Sequence, residues 1–509
     1  MTSDSIDYYT GSIEETHAAA REDVLALGEF GAWIGGEART AADGEAFATL
    51  DPVVGEEICS VPRCTATDVD AAVDAARDAF DGEWGAYSPQ ERSNAILSWV
   101  DALRENVGDL ALIESLDGGK PLNHALVETK YALDFLEYYG KVIQADEGIT
   151  VPTDDDMHVY TRHEPYGVVG LVTPWNFPLT IAFWKVGPAL AAGNAAVIKP
   201  AEQTPLSLLY AAELSKGILP DGALNVVTGF GEEAGAPLTE HAGVGKVSFT
   251  GEDVTGKTVM KAAAETVKPV TLELGGKSPY VVFPDADIEE AVRDVAHGIF
   301  YNAGQSCDAC SRVLVHEDVA EEFTDGLVAR AEGLTPGDTL KEGTTVGPLI
   351  SEEQFGKVTD YIGVGEGEGA TLATGGAVDD GDLAEGWYVR PTVLTDVDND
   401  MRVAQEEIFG PVEVVTTFES YDEAIELAND VEFGLAAGVA TENATLAHRA
   451  AADIDAGSVW VNGNYATPIP GGPFGGYKQS GIGRECSRDA LRHYSQEKAV
   501  HVALDDPSL

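Results

Sequence analysis

Across residues 167–198 the only charged side chain is Lys185. A bilayer-crossing helix needs about 20 apolar residues, so length alone would admit one. Pro174, Pro178, Pro188, Asn176, Asn194 and several glycines break the run into pieces too short to span. The pattern predicts a strand at 167–172, a turn, a buried helix at 179–192 and a second strand at 195–199, all inside a protein core. Further short apolar segments bounded by turn residues follow: ALNVV, KVSFT and SPYVVF. Helical periodicity is clear at 67–80, 90–106 and 285–300. Strands alternating with helices make a parallel α/β sheet. The alternation restarts after residue 305 with SRVLVH, helices at 317–331 and 351–365, and PTVL, which predicts a second α/β unit. Residues 151–162 read as a hairpin and 494–504 as a terminal strand.

A chain of 509 residues is too long for one ordinary core. Its 87 acidic against 31 basic residues leave a formal charge of −56, spread along the whole length. Such a surface repels itself at low ionic strength, and salt screens that repulsion. The dispersed excess points to a salt-rich interior, as in halophiles, rather than to a single basic partner. Nucleic acid is excluded as a partner, since phosphates need Lys and Arg. Five cysteines, Cys59, Cys64, Cys307, Cys310 and Cys486, are too few and of the wrong parity for a disulfide framework in a chain this size. Reduced thiols in a cytoplasm are expected. The N-terminus, MTSDSIDYYTGSIEE, has neither the basic start nor the apolar stretch of a signal peptide.

Three segments carry chemistry. In FYNAGQSCDACSR, Cys307 follows small residues that let backbone and ligand approach, as a nucleophilic thiol requires. A structural cysteine, or a CxxC pair with Cys310, is the alternative, but no second CxxC or HxxxH completes a metal site. In TLELGGKSP, Glu273 stands before two glycines, where burial would fit it for general-base work; an ordinary exposed acid is the alternative. In TPWNFP, two prolines stiffen the loop around Asn176, whose amide can hold an oxyanion or simply cap a turn.

Together these segments closely resemble the aldehyde dehydrogenase superfamily. The resemblance extends to KPAEQTP (199–205), SFTG (248–251), EEIFGPV (406–412) and PFGGYKQSG (473–481), in the family's order and over nearly the whole chain. It implies an α/β fold: a Rossmann-like cofactor-binding domain (1–149 and 163–276), an α/β catalytic domain (277–480) and a small β oligomerisation element (150–162 and 481–509). The hairpin and the tail strand would pair between subunits of a homodimer or homotetramer. It implies oxidation of an aldehyde to a carboxylic acid through a thioester on Cys307. Asn176 would hold the oxyanion, Glu273 would activate water, and Lys185 and Glu485 would relay protons. Trp175, Lys199, Glu202, Gly251, Glu407 and Phe409 would hold the cofactor. A carboxylate at Glu202 suits ribose hydroxyls and repels a 2′-phosphate, which favours NAD over NADP. Glu252, where the family often has a small hydroxyl residue, is a departure that bears on the pyrophosphate.

By the same analogy Tyr131, Thr180, Trp184, Asp308 and Ile469 would line the substrate channel. None is basic, so uncharged aliphatic or aromatic aldehydes are expected. Betaine aldehyde, held by cation–π contacts to Tyr131 and Trp184, is the second choice. Two rival readings exist. GEDVTGKT (251–258) satisfies the P-loop pattern, with VVFPD ending at Asp285 as a second nucleotide-binding strand. A non-enzymatic descendant of the family, like a lens crystallin, is the other; such a protein need not keep Cys307, Glu273 and Asn176 together.

Overall fold

The computed structural model describes residues 8–378, 381–384, 386–463 and 465–504. The first residues of the acidic N-terminus and the tail past residue 504 lie outside them.

The uncharged stretch forms what its punctuation predicts. Strand Val168–Val172, helix Pro178–Ala191 and strand Ala195–Lys199 are almost wholly buried. Among the described residues no helix is long and apolar enough to cross a membrane. The two strands belong to an eight-stranded sheet. Its five parallel members lie in the order Leu224–Val226, Ala195–Lys199, Val168–Val172, Lys246–Thr250, Val270–Glu273. Chain order reverses at Val168–Val172, a doubly wound arrangement whose switch point lies between that strand and Lys246–Thr250. In such sheets ligands bind in the crevice at the carboxyl ends of the strands beside the switch point. Strands Ala32–Ile34 and Gly481–Ile482 pair antiparallel at the two sides.

The second unit is a seven-stranded sheet. Its parallel core runs Val389–Thr395, Val412–Phe418, Arg312–His316, Pro279–Val282, Ala436–Ala440, Ser458–Val461, with Thr371–Ala377 antiparallel at one edge. Separate apolar clusters fill the two units.

Hairpin Thr150–Val151 and Met157–Pro165 forms as expected, but its main partner is in the same chain. Strand Ser495–Ala503 pairs antiparallel with Met157–Pro165 from Ser495↔Pro165 to Ala503↔Met157. This corrects the expectation that these strands wait for a second subunit. Nor does the whole segment from residue 481 join this three-stranded sheet, because Gly481–Ile482 continues the large one.

The P-loop reading fails on geometry. The helix Asp253–Ala264 begins before Gly256, Lys257 and Thr258, so these lie within it rather than in a loop wrapped around phosphate. Lys257 is spent on Asp253 one turn back, at 2.6 Å. Asp285 follows a strand of the other sheet and accepts from Thr441 at 2.7 Å.

Candidate active site

Three of the expected catalytic groups meet where the two sheets face each other. Asn176 follows Val168–Val172, Glu273 ends Val270–Glu273, and Cys307 precedes Arg312–His316 of the second sheet. The approach to Cys307 is strained: Asn302 and Ala303 take φ of 50° and 52°, a region costly for residues with a Cβ. Hydrogen bonds hold it there. Asn302 Nδ2 donates to the carbonyl of Asn176 at 3.0 Å, and Asn176 Nδ2 donates to the carbonyl of Gln305 at 3.0 Å. Gln305 in turn accepts from the Ile350 N–H at 3.0 Å. At Gly276 a Cβ would stand 2.3 Å from the carbonyl oxygen of Cys307, so the second glycine of LELGG is what lets the two units close.

Two cavities flank Cys307, and it is the one residue common to both walls as described. The larger, about 210 Å³, is lined by Tyr131, Thr180, Trp184 and Asp308, as anticipated. Phe177, Phe474, Glu128 and Tyr301 also line it. Ile469 does not. Its neighbour Pro468 faces the cavity, whereas Ile469 is 64% exposed. The smaller cavity is lined by Trp175, Asn176, Gly251, Glu273, Glu407 and Phe409, all anticipated, and by Gln354 and Lys357, which were not. Gln354 and Lys357 open the helix Glu352–Glu368, where the sequence offers only ordinary polar positions.

Burial sets the charges. Glu273 is 3% exposed, and neither carboxylate oxygen has a partner. Desolvation first, and the Glu485 carboxylate second, push it well above the usual carboxylate range; Lys185 and Arg484 pull the other way. The Cys307 thiol is likewise pushed up, by desolvation and then by Asp308, Glu407 and Glu273. Cys310 is no redox partner: it is buried, with Sγ 3.5 Å from the Val295 carbonyl. All five cysteines are free.

Lys185 is no surface lysine, being 0% exposed and 2.6 Å from Glu485 Oε1. It also donates to Ser248 at 2.9 Å. This buried pair is charge-coupled to Glu273. Lys199 ends the neighbouring strand Ala195–Lys199 and Glu202 follows it; neither is on the described wall of the smaller cavity. Lys199 Nζ donates to the Pro200 carbonyl at 2.8 Å and to Glu202 at 3.3 Å.

The smaller cavity, about 100 Å³, suits one end of a dinucleotide. It opens at the switch point, before the first turn of the helix Asp253–Ala264, where backbone N–H groups favour phosphate. The buried Thr250 hydroxyl there has no partner. Trp175 and Phe409 meet edge-to-face at 5.3 Å, forming an aromatic wall. Glu407 accepts from the Gly276 N–H at 3.0 Å, and burial pushes it up to about 7. Glu252 is exposed and makes no cap bond, but it also lines this cavity, and its charge adds to the push on Glu407.

A thiol at the junction of a dinucleotide cleft and a largely apolar pocket, with a buried carboxyl nearby, defines an enzyme of covalent oxidative chemistry. Comparison with known proteins gives the family: residues 39–500 match the model described as "Aldehyde dehydrogenase family". The chain is 45% identical over 478 residues to an aldehyde dehydrogenase of Emericella nidulans, covering 94% of this chain and 95% of that one. It is 46% identical over 479 residues to the mitochondrial benzaldehyde dehydrogenase of Antirrhinum majus, covering 93% and 89%. The NAD+ complex of a Bacillus cereus aldehyde dehydrogenase superposes with a TM-score of 0.93 at 44% identity, covering 98% of this chain and 100% of that chain. The chain therefore belongs to the aldehyde dehydrogenase family, and its reaction is the oxidation of an aldehyde to a carboxylic acid.

Proposed function

We propose that Cys307 carries the acyl group as a thioester and that NAD is the acceptor. The observation that carries this reading is the position of Cys307 on the walls of both cavities. NAD, bound in the smaller cavity by Trp175, Gly251, Gln354, Lys357, Glu407 and Phe409, supplies the two-electron acceptor. Lys199 and Glu202 take the adenosine ribose, and the carboxylate disfavours a 2′-phosphate.

The chain's own groups do the rest. Cys307 Sγ attacks the aldehyde carbon. The thiol proton goes to Glu273, which passes it on to Glu485 and Lys185 before deacylation; the transfer moves one buried negative charge from carboxylate to sulfur, so the two are not charged at once. The second Nδ2 hydrogen of Asn176 and the Cys307 N–H hold the oxyanion. Once the thioester has formed, Glu273 takes a proton from water, whose oxygen attacks the acyl carbon and expels the Cys307 thiolate. Glu485 and Lys185 carry that proton away from Glu273.

The substrate is an uncharged aldehyde. Supporting this, the larger cavity is walled mainly by Tyr131, Phe177, Trp184 and Phe474 and carries the acids Glu128 and Asp308. Asp308 accepts from Ser306 at 2.6 Å and burial pushes it above its ordinary range, while no lysine or arginine among the described wall residues is placed to clamp an anionic tail. The chain works in the cytoplasm of a salt-rich cell, as its dispersed acidic surface suggests. It assembles as a homodimer or homotetramer through the outer edge of Ser495–Ala503 and the apolar residues Ile149, Met157 and Val502 exposed beside it. Its cofactor domain comprises 1–149 and 163–276, joined by the strand Gly481–Ile482; its catalytic domain is 277–480; its assembly element is 150–162 with the tail strand Ser495–Ala503.

The test is rapid-mixing NADH absorbance in high salt with a reductant. Wild type should give a burst, Cys307→Ala none with NAD binding kept, and Glu273→Gln a slowed burst followed by still slower steady-state turnover. A fully active Cys307→Ala enzyme removes the thioester.

A further inference from the structure

Two hydrogen-bond donors in the aldehyde pocket are unspent. Trp184 is 8% exposed, lines the larger cavity, and its Nε1–H meets no acceptor. Tyr131 lines the same cavity, and its buried hydroxyl also has no partner. Each donor atom is closed over, so an arriving oxygen reaches it by parting the aromatic rings slightly. The Trp184 indole is wedged between Phe135, with ring centroids at 5.4 Å, and Phe474, at 5.3 Å. The Tyr131 ring stands edge-on to the same Phe135 at 4.9 Å. Both donors thus hang from one aromatic stack, carried by the helices Leu122–Val142 and Pro178–Ala191.

An indole N–H can only donate, so its complement on the substrate must be an acceptor. A carboxylate would serve chemically, but the wall carries Asp308 and no lysine or arginine; Glu128 is already paired with the buried Lys120, which lies behind that wall. A neutral oxygen meets both conditions. Resting on the aldehyde reading above and narrowing it, we propose that the preferred substrates carry a neutral oxygen acceptor, a hydroxyl, ether or ketone, on the tail beyond the aldehyde, received by Trp184 Nε1–H and Tyr131 O–H. A plain hydrocarbon tail leaves both buried donors unmatched. A site built to hydrogen-bond its substrate discriminates against the analogue that lacks the group.

The experiment compares kcat/KM with NAD for matched pairs. Each pair is a straight-chain aldehyde and the ether analogue in which one tail methylene is replaced by oxygen, with the oxygen moved along the chain. A terminal carboxylate analogue is included. At one oxygen position the ether should exceed its hydrocarbon partner by about 10-fold. That ratio should collapse toward unity in Trp184→Phe, and fall in Tyr131→Phe, which keeps the ring and is the gentler change. Hydrocarbon aldehydes that match or beat their ethers at every position overturn the proposal while leaving the dehydrogenase reading intact. So does a preference that survives both variants, or a best substrate that carries the carboxylate. Absence of turnover with every aldehyde overturns both readings.

Discussion

The helix Ile13–Leu25 docks through one buried imidazole, and that contact has a calculable pH dependence. His17 Nδ1 lies 2.6 Å from Asp51 and Nε2 lies 3.0 Å from Asp338, with the ring wholly buried. Asp338 belongs to the loop that precedes helix Glu352–Glu368 of the catalytic unit, so His17 ties the N-terminal helix to the other half of the molecule. Desolvation pushes the imidazole down, but the hydrogen bonds and charges of Asp338 and Asp51 outweigh it and hold the group up at about 9. Unfolded histidine titrates near 6.5. Folding therefore takes up a proton between those values. The stability this contributes is fully present below about pH 6.5 and is lost as pH rises through about 9. A rise of about 2.5 units at roughly 1.4 kcal/mol each amounts to about 3 kcal/mol. At roughly 2 cal/mol/K per residue, unfolding of this whole chain carries an entropy near 1 kcal/mol/K, so the contribution is worth about 3 °C in Tm if the chain melts as a unit. The comparison is calorimetry of wild type and His17→Gln at fixed high salt, since titrations shared by both proteins cancel in the difference. The wild-type advantage should shrink by about 3 °C between roughly pH 6 and pH 10. A gap that stays flat or widens with pH refutes the assignment of a charged, doubly paired imidazole.

Asp308→Asn removes the first of the carboxylates that push the Cys307 thiol up. Alkylation of Cys307 by iodoacetamide should then shift to lower pH and run faster near neutrality, and an unshifted profile would show that Asp308 does not act on the thiol. Lys185→Met leaves Glu485 buried without its cation, which should cost about 3–5 kcal/mol in denaturant unfolding. The double variant with Glu485→Gln should recover most of that stability while deacylation stays slow; if the single variant is as stable as wild type, the pair is not the buried ion pair described. Activity and Tm should both rise with KCl into the molar range, and full activity in dilute buffer would remove the halophile reading.

The site was legible where its chemistry is packed into short segments. TPWNFP, LELGGKSP and GQSCDACSR each carry a reacting or orienting group beside the prolines and glycines that place it, so the local pattern names the residue. Ile469 shows the limit. In an irregular loop no periodicity says which of two neighbours faces inward, and Pro468 does. Gln354 and Lys357 were missed because the first two turns of a helix are polar on their outer side whether or not they border a ligand cleft. The pairing of Ser495–Ala503 with Met157–Pro165, and the contact of His17 with Asp338, join residues hundreds of positions apart. Nothing in either local pattern encodes such a partner.

The catalytic group is also what the relative position of the two units protects. Asn176 and Glu273 come from strand ends of one sheet and Cys307 from the approach to a strand of the other, so a shift between the units is a shift between nucleophile and base. Left-handed backbone at Asn302 and Ala303 costs on the order of 1–3 kcal/mol per residue. It persists because Asn302 and Gln305 are tied to Asn176 and Ile350. The glycines act at the same seam: a Cβ on Gly304 would meet the Gly410 carbonyl at 2.0 Å, and one on Gly275 would meet the Glu407 carboxylate at 2.7 Å. On the proposed mechanism Asn176 has two duties, since one Nδ2 hydrogen holds the strained loop and leaves the other for the oxyanion. Loss of that side chain should damage the placement of Cys307 as well as the charge it stabilises. An Asn176→Ala enzyme should accordingly lose both its acylation rate and the reactivity of Cys307 toward a small alkylating agent that needs no oxyanion site.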